Sequence, residues 1–248
     1  VGIREAADRA GVKVMVGYAW RFDLARRTLK SLIEQGALGE ITQVCAGISA
    51  GPLPAGVAGW MGDPAKGGGP LLVVGGHVTD QVLWMVDSAA QRVYGEVRRD
   101  PDSGVDQSTA YTVRFENGVI ANVVCAQTSS PHFNFIDVVG SRGRARNEWP
   151  SGGLQVQGLD GSYYEDDPMS PVHHSAKDYG GATTIQSERA YSVLMFEEQM
   201  RAWVRSISRG VDPPIGIDAG INALAVLDAV VESGRTSVPV QLASPAIT

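Results

Sequence analysis

The stretch GGGPLLVVGGHVTDQVLWMVD, residues 67–87, decides the fold of this chain. Three glycines and a proline open it, and the residues that follow are mostly apolar with a helical period. Pro70 suits the first turn of a helix, because the backbone N–H that proline lacks has no helical partner there. The stretch therefore predicts a glycine-rich turn followed by a helix that continues to its end.

One face of this predicted helix carries polar side chains. Val73, His77, Asp80 and Trp84 are spaced at i, i+4, i+7 and i+11, so a continuous helix would place them on the same side. A second, mostly apolar stripe can pack on a sheet. The pattern predicts an amphipathic helix with His77 and Asp80 on the same face.

Two further glycines, Gly75 and Gly76, lie within the same helix. Each costs roughly 1 kcal/mol relative to alanine at a helical position. A helix with two glycines beside His77 indicates that something large approaches its backbone, and a ligand is one explanation. Tight packing of the helix on a sheet, around a core histidine with satisfied hydrogen bonds, is the alternative. Both explanations stay open on this pattern alone.

Composition narrows the class of protein. The 248 residues are 44% hydrophobic and 19% charged, which is ordinary for a globular domain. A net charge of −6 argues against binding nucleic acid or an anionic membrane as the main task. The two cysteines, Cys45 and Cys125, lie in strand-like apolar runs and are expected to be buried, reduced thiols of a cytoplasmic protein. No run of about 18 apolar residues predicts a membrane span.

The chain begins with Val1 inside an apparent helix, residues 3–10, that Gly11 can end. Residues 12–18 form a continuous apolar run, typical of a strand covered on both faces of a parallel sheet. We therefore expect the chain to be a fragment of a longer protein whose amino-terminal part is missing.

The rest of the chain predicts an antiparallel sheet with helices on one face. Residues 23–35 form an amphipathic helix with Arg26, Arg27 and Lys30 directed outward. Strands follow at residues 92–98, in a hairpin over 108–128 with a type I′ turn at Asn117 and Gly118, and again at 133–140. Adjacent hairpins with alternating polar and apolar residues favour a sheet with one solvent-facing side.

A polar segment, residues 165–190, is expected to be a long loop that covers a site or packs on a neighbouring subunit. It contains Tyr179 and the adjacent pair His173 and His174. Adjacent histidines point in different directions in most conformations, so no metal site is predicted. Two helices then close the chain.

The common catalytic and phosphate-binding motifs are lacking. Gly47, Ser49 and Gly51 match G-x-S-x-G, but Pro52 and Pro54 follow at once and no helix begins there, so this is not a nucleophile elbow. The chain contains neither G-x-G-x-x-G nor G-x-x-x-x-G-K-[ST]. Any dinucleotide would therefore need a phosphate-binding turn outside these 248 residues.

Three segments together resemble the glucose–fructose oxidoreductase / inositol dehydrogenase (Gfo/Idh/MocA) family. They are AWRFD at residues 19–23, GALGEI at residues 36–41, and the glycine triplet followed by His77 and Asp80. The family's usual form is GGG, three residues, Asp, three residues, His, two residues, Asp. Val73 occupies the place of the first aspartate here.

The resemblance implies an α+β fold: a largely antiparallel, open-faced sheet with helices on one face, like the carboxy-terminal domain of dihydrodipicolinate reductase. It implies that residues 1–18 are a remnant of an NAD(P)-binding Rossmann domain and that residues 19–248 bind substrate and form a homo-oligomer through the open sheet face. NAD or NADP is the implied cofactor, a sugar, cyclitol or related polyol the implied substrate, and no metal is implied. The expected site residues are His77 and Asp80 for catalysis, Trp20 and Arg21 for the cofactor, and Lys66, Gly69, His77 and Tyr179 for the substrate.

Val73, in place of the family's aspartate, is expected to change the basicity of His77. Hydride removal from an alcohol carbon needs a base for the hydroxyl proton, and neutral His77 can accept it. A carboxylate one turn earlier would favour the charged imidazole, and Val73 supplies none. His77 is therefore expected to be a weaker base than its counterparts in the family, with Asp80 as a partial substitute. The family's catalytic lysine would precede Val1.

Three functions follow from the resemblance. The chain is the carboxy-terminal, substrate-binding part of an NAD(P)-dependent oxidoreductase of sugars or cyclitols, or a non-catalytic relative that binds a sugar-like ligand or a partner. The third is an NAD-dependent glycosidase of the same family. In each case the 248 residues alone are expected neither to bind NAD well nor to turn over.

Overall fold

A computed structural model describes residues 2–51, 59–127, 132–149, 153–158, 163–166 and 186–243. The helices in these ranges are α1 Gly2–Ala10, α2 Leu24–Glu34, α3 Pro70–Val73, α4 Gly75–Val86, α5 Gln186–Arg209 and α6 Ile217–Thr236. The strands are β1 Ile41–Ser49, β2 Ala90–Arg99, β3 Asp106–Phe115, β4 Ile120–Ala126, β5 Phe133–Gly140, β6 Gly143–Trp149, β7 Leu154–Gly158, β8 Tyr163–Asp166 and β9 Val240–Gln241.

All nine strands form one sheet in the order β8-β7-β6-β5-β1-β4-β3-β2-β9. The pairing of β1 with β4 is parallel, and the other pairings are antiparallel. Helices α4 and α6 pack on the same sheet, and α2 packs beside β6 and β7. The predicted α+β architecture, a largely antiparallel open sheet with helices on one face, is confirmed.

The core lies between the sheet and these helices. On β3, Thr109, Tyr111, Val113 and Phe115 are buried, while the residues between them point to the opposite face. The same alternation holds along β4, where Ala121, Val123 and Cys125 are buried, because side chains along a strand have a period of two. Burial of one apolar face on helices is the main stabilising contribution.

The opposite face of the sheet is open in this chain. Asp137 at its centre pairs with Arg144 and Arg146, and the Arg146 guanidinium lies 5.0 Å from the Phe135 ring centre. Three large apolar side chains are exposed on the same face: Tyr94, Ile120 and Val124. This face thus combines charge pairs with exposed apolar surface.

The amino-terminal segment differs from the sequence prediction. Helix α1 ends at Gly11, which has a φ of +62°, as expected. The strand predicted over residues 12–18 is wrong, because no strand is assigned there. A strand needs a partner strand, and within the described ranges the backbone of this segment bonds to a distant segment only through the Val16 N–H, which donates to the Ile215 carbonyl at 2.9 Å. The assignment of residues 1–18 to a separate domain stays a prediction.

The segment that follows the glycine triplet forms two helices where the sequence predicted one. The break is at Val74, where φ is −112°, and the His77 N–H donates to the Val74 carbonyl instead of continuing a ladder from α3. Helix α4 ends at Asp87 in the left-handed region. Val73 and His77 therefore lie in different helices and do not share one continuous helical face.

Two local predictions also need correction. The β3–β4 turn is not type I′, because only Gly118 of its residues has a positive φ, whereas type I′ needs two. Phe115 N–H donates to the Val119 carbonyl across this longer turn. The loop predicted for residues 165–190 is shorter at its end, since α5 already begins at Gln186.

Both cysteines are free thiols, Cys125 buried and Cys45 half-buried. Within the described ranges, no helix combines the length and the apolar character needed to cross a membrane.

Candidate functional site

The glycine triplet is required by the backbone of the turn that it forms. Gly69 has a φ of +117°, and a Cβ there would overlap the Asp106 carboxylate. A Cβ at Gly68 would overlap the backbone of the preceding turn. Asp106, from β3, accepts a hydrogen bond of 2.8 Å from the Leu71 N–H and so caps α3. The triplet thus lets a strand carboxylate reach the first turn of α3.

The second glycine pair lies in the first turn of α4. A Cβ at Gly75 would be 3.4 Å from Leu71 Cδ1 and 3.5 Å from Cys125 Sγ, so this glycine permits tight packing on the sheet. At Gly76 the nearest atom would be Tyr18 Oη at 3.9 Å, an ordinary contact. Packing therefore explains Gly75, while no side chain or backbone in the described ranges requires a glycine at position 76.

His77 is half-buried between two aromatic rings. Its ring centre lies 5.8 Å from that of Tyr18, edge to face, and 5.6 Å from that of Trp20. Burial lowers the pKa of His77 below its usual value, and the charge of Arg26 lowers it further. No side chain in the described part of the chain forms a hydrogen bond with the imidazole nitrogens. The imidazole is therefore neutral at pH 7 and able to accept a proton.

Asp80 is buried and held by Arg21. The guanidinium donates from Nε to one carboxylate oxygen at 2.9 Å and from Nη2 to the other at 2.6 Å. The same guanidinium lies 5.8 Å from the Trp84 ring centre. Asp80 and Trp84 thus both contact Arg21, so they share one face of α4 as predicted. Burial raises the pKa of Asp80 to about 6, although Arg21 opposes the shift. Both carboxylate oxygens of Asp80 accept hydrogen bonds from Arg21. The catalytic role of Asp80 therefore stays a prediction.

Arg26 and Lys30 were predicted to point outward from α2, and this prediction is wrong. Both side chains are buried. Arg26 lies over the Trp20 ring at 4.2 Å and donates to Asn147 Oδ1 at 3.2 Å and to Asn134 Oδ1. Burial lowers the pKa of Arg26 to about 10. The outward face was mispredicted because β5 and β6 supply polar partners that the period of the helix does not reveal.

The structure brings four of the predicted site residues together: Trp20 and Arg21, from the turn before α2, with His77 and Asp80 of α4. Trp20 contacts His77 and Arg21 holds Asp80. The sequence fragment AWRFD and the helix are thus adjacent in space, which their separation in the chain does not show.

The other predicted residues lie elsewhere or are not described. Lys66 is exposed and paired with Asp63 at 3.0 Å. Gly69 is buried, its N–H donates to the Met61 carbonyl and its own carbonyl accepts from Val73. Tyr179 lies outside the described residues, as do His173 and His174. Substrate contacts by these residues stay predictions.

Sequence reasoning missed Tyr18, Asp106 and the cluster around Arg26. Tyr18 directly precedes the AWRFD segment, which was a usable signal. Asp106 and Arg26 had no such signal, because their partners are on other elements. Within the described part of the chain, no group of three or more His, Cys, Asp or Glu side chains could hold a metal ion.

Comparison with known proteins finds similar chains. Residues 26–146 match the family model described as the GFO/IDH/MocA C-terminal domain. A D-xylose 1-dehydrogenase (NADP(+)) of Haloferax volcanii is 22% identical over 235 residues, which are 95% of this chain and 66% of that protein. The chain thus spans slightly less than two thirds of this relative.

Solved structures show the same fold. An oxidoreductase domain protein of Kribbella flavida superposes with a TM-score of 0.78 and 19% identity, over 97% of this chain and 68% of that one. A scyllo-inositol dehydrogenase of Lactobacillus casei, solved with NAD(H) and scyllo-inositol, superposes with a TM-score of 0.69 and 21% identity, over 96% and 67%. At these identities the likeness establishes the fold.

Proposed function

We propose that this chain, whose residues 26–146 match the C-terminal-domain model of the Gfo/Idh/MocA family, is the substrate-binding part of an NAD(P)-dependent oxidoreductase. The substrate is a sugar, a cyclitol or a related polyol. The names of a xylose dehydrogenase and a scyllo-inositol dehydrogenase among its relatives support this substrate class.

The observation that carries the proposal is the state of His77. Its imidazole is half-buried, its pKa is lowered, and its ring nitrogens have no hydrogen-bond partner among the described residues. An imidazole that serves only the core is normally hydrogen-bonded when buried. His77 instead keeps its lone pair for the proton of a bound hydroxyl, which is the task of a general base in alcohol oxidation.

The neighbouring residues fit this role. Arg21 fixes Asp80 by two hydrogen bonds and so holds α4 against the turn that carries Trp20. Trp20 shields one side of the imidazole from water, which keeps it neutral. The negative charge of Asp80 is compensated by Arg21, so it raises the basicity of His77 little.

Trp20 and Arg21 are also the residues that would contact the nicotinamide end of the cofactor. The indole is half-buried, and Nη1 of Arg21 has no hydrogen bond to a described residue, so both can meet a planar polar group. NAD or NADP, when bound, would accept the hydride. The chain has no G-x-G-x-x-G turn for the phosphates, so we expect weak binding of NAD to these residues alone.

The test is hydride transfer by the full-length protein, followed by nicotinamide absorbance with xylose and scyllo-inositol as substrates. His77→Ala should lower kcat by about 100-fold or more, because general-base catalysis contributes 10²–10⁴-fold. Arg92→Ala, a change at an exposed residue of β2, is the control and should retain activity. An unchanged rate in His77→Ala would remove His77 from the mechanism.

A non-catalytic, sugar-binding relative is the second candidate, and Val73 favours it. This valine stands where the resemblance implies a catalytic aspartate, and it lies in α3. Such a protein would bind the sugar without any change in nicotinamide absorbance. Val73→Asp separates the two functions: it should raise kcat of an enzyme and leave a binding protein without turnover.

We further propose that a second copy of the chain covers the open sheet face in a cytoplasmic homo-oligomer. Exposed Tyr94, Ile120 and Val124 supply apolar surface there, and Val124 packs beside Gly47 and Phe135. Light scattering on the purified protein tests this assembly. Val124→Glu should dissociate it, whereas a wild-type monomer at micromolar concentration would contradict it.

A further inference from the structure

A second cavity is lined in part by Trp20, the residue whose ring also contacts His77. Its volume is about 260 Å³, close to the lower end of the range typical of ligand pockets, roughly 300–1,000 Å³. Its floor consists of buried polar residues, and its rim is largely aromatic. The floor residues are Asp23, Arg26, Asn134 and Asn147, and the rim includes Trp20, His132, Trp149 and Phe196.

The floor is a buried polar network in which Asp23 compensates the charge of Arg26 without forming a direct ion pair with it. Arg26 donates to the side-chain oxygens of Asn134 and Asn147, and no carboxylate of the described residues lies within 4 Å of it. Asp23 accepts a hydrogen bond from the Arg26 backbone N–H at 2.8 Å and serves as the N-cap of α2. A buried guanidinium held by neutral amides is expensive unless further acceptors complete its hydrogen bonds.

Some donors of this floor have no partner in the described part of the chain. Asn134 is 6% exposed and its oxygen accepts from Arg26, but its NH₂ group donates to no described residue. The same holds for Nη1 of Arg26, since its bonds use Nε and Nη2. The Asn147 NH₂ group, by contrast, donates to the Gly153 carbonyl at 3.0 Å. The cavity thus presents N–H donors to whatever fills it.

The rim suits the C–H faces of a hydroxylated ring. His132 and Trp149 contact each other edge to face at 4.8 Å, and Trp20 lies over the Arg26 guanidinium. Aromatic rings provide flat apolar surface that can cover such faces. Glu148 also lines the cavity and accepts from Arg146 at 2.8 Å, so an acceptor stands beside the donors.

The charges favour a neutral ligand. Arg26 is offset by Asp23, and Glu148 is offset by Arg146, so the cavity has no surplus positive charge for an anion. Bringing a carboxylate into it would require desolvation that no unpaired cation repays. Hydroxyl groups, which both donate and accept, match the mixed set of partners.

We propose that this cavity binds a neutral sugar ring, so that the substrate extends beyond the ring placed at His77. The inference rests on the proposed function for the His77 side. Trp20 is close to both places, since its ring lies 5.6 Å from the His77 ring and 4.2 Å from the Arg26 guanidinium. A disaccharide or glycoside that passes the edge of Trp20 reaches both.

Binding to this chain can be measured without turnover, by tryptophan fluorescence and by NMR line broadening of the ligand. Cellobiose, maltose and lactose are each compared with the methyl glycoside of their non-reducing sugar. We expect at least one disaccharide to bind tenfold or more tightly than its methyl glycoside. Equal affinities across the series, or tighter binding of glucuronate than of methyl glucoside, would overturn the proposal.

Two variants test whether the tighter binding of the disaccharide comes from contacts in this cavity. Phe196→Ala changes an exposed rim residue of α5, and Leu194→Ala changes an exposed residue of the same helix that does not line the cavity. Asn134→Ala removes the unpartnered donor, and Asn122→Ala on the open face is its control. Phe196→Ala and Asn134→Ala should reduce the disaccharide gain at least fivefold while the controls retain it.

The exposed position of Phe196 keeps the test informative if Asn134→Ala does not fold. An undiminished gain in Phe196→Ala would contradict the assignment to this cavity. The outcome is separable from that of the proposed function, because binding needs no cofactor. A full-length protein without hydride transfer can still show the disaccharide gain, and an active enzyme can lack it.

Discussion

The two glycine clusters of residues 67–87 are close in sequence and differ in their physical origin. Gly68 and Gly69 are required by the turn, because a Cβ at either would overlap backbone or the Asp106 carboxylate. Gly76 has helical backbone geometry and a nearest prospective contact of 3.9 Å. A glycine that is required by backbone geometry or by contacts within the chain carries no information about a ligand. A glycine that no such contact requires indicates that a ligand approaches the backbone there.

The same contrast separates the polar groups near the two clusters. Asp106 beside Gly69 is used by the fold, since it caps α3 through Leu71. The imidazole of His77, beside Gly76, has no hydrogen-bond partner among the described residues. The turn is therefore a structural region, and the first turn of α4 is the place where a ligand can approach. Four predictions break or sharpen this comparison.

The largest effect is expected for Gly69→Ala. The new methyl group would meet the Asp106 carboxylate and force an alanine to a φ of +117°, so the free energy of unfolding should fall by about 3–5 kcal/mol. Urea denaturation measures this change. Gly67→Ala, at a φ of +78° with only Leu72 nearby at 3.7 Å, is the control and should lose about 1 kcal/mol. Equal losses in both variants would show that Asp106 does not constrain the turn.

Arg21→Met tests whether the ion pair between Arg21 and Asp80, next to His77, also stabilises the fold. Removing the guanidinium leaves Asp80 buried without its partner, which should cost about 3 kcal/mol of unfolding free energy at pH 8. The loss should be smaller at pH 5, because Asp80 can then take up a proton. Arg144→Ala, at a half-exposed pair with Asp137, should cost less than about 1 kcal/mol. If Arg21→Met were as mild as this control, the Asp80 pair would not hold α4 in place.

The pH dependence distinguishes Asp80 from His77. The pKa of Asp80 rises on folding from 3.8 to about 6, so between these values the folded state holds a proton that the unfolded state releases. Its contribution to stability is therefore lost as the pH rises through this window, by about 3 kcal/mol in total. His77 acts in the opposite sense, because its pKa is lowered on folding and protonation at low pH favours the unfolded state.

Unfolding midpoints of Asp80→Asn and His77→Gln from pH 4 to pH 7.5 separate these two effects. Asp80→Asn should remove the loss of stability with rising pH. His77→Gln should remove the gain of stability with rising pH. A wild-type curve with the same slope as Asp80→Asn would mean that Asp80 titrates normally in the folded protein.

The smallest effect on stability is expected for Gly76→Ala. With no contact closer than 3.9 Å, the alanine should be neutral or should stabilise α4 by up to about 1 kcal/mol. If a sugar approaches this part of the helix, the same variant should nevertheless weaken its binding to the full-length protein by tenfold or more. Gly2→Ala, a helical glycine of α1 with nothing within 4 Å of its prospective Cβ, is the control. Unchanged sugar binding in Gly76→Ala would contradict a ligand at this turn.

Much of the fold was predictable because it depends on local patterns. The capped helix of residues 24–34, the alternation along β3 and the hairpin into β4 all follow from residues close in sequence. Residues 12–18 show where this reasoning fails, since a strand exists only with a partner. Arg26 shows a second failure: a helical period marks it as outward, but the two asparagines that bind it come from strands more than 100 residues later.

The sequence by itself determined the element types, the glycine turn and the pair His77 and Asp80, because backbone preferences and periodicity act over a few residues. Only the tertiary structure decided that Asp80 is paired with Arg21, that Asp106 needs Gly69, and that Arg26 forms the floor of a cavity beside Trp20. These contacts join distant segments through burial and charge. Burial and charge pairing arise only once the sheet and helices have packed, so no local pattern contains them.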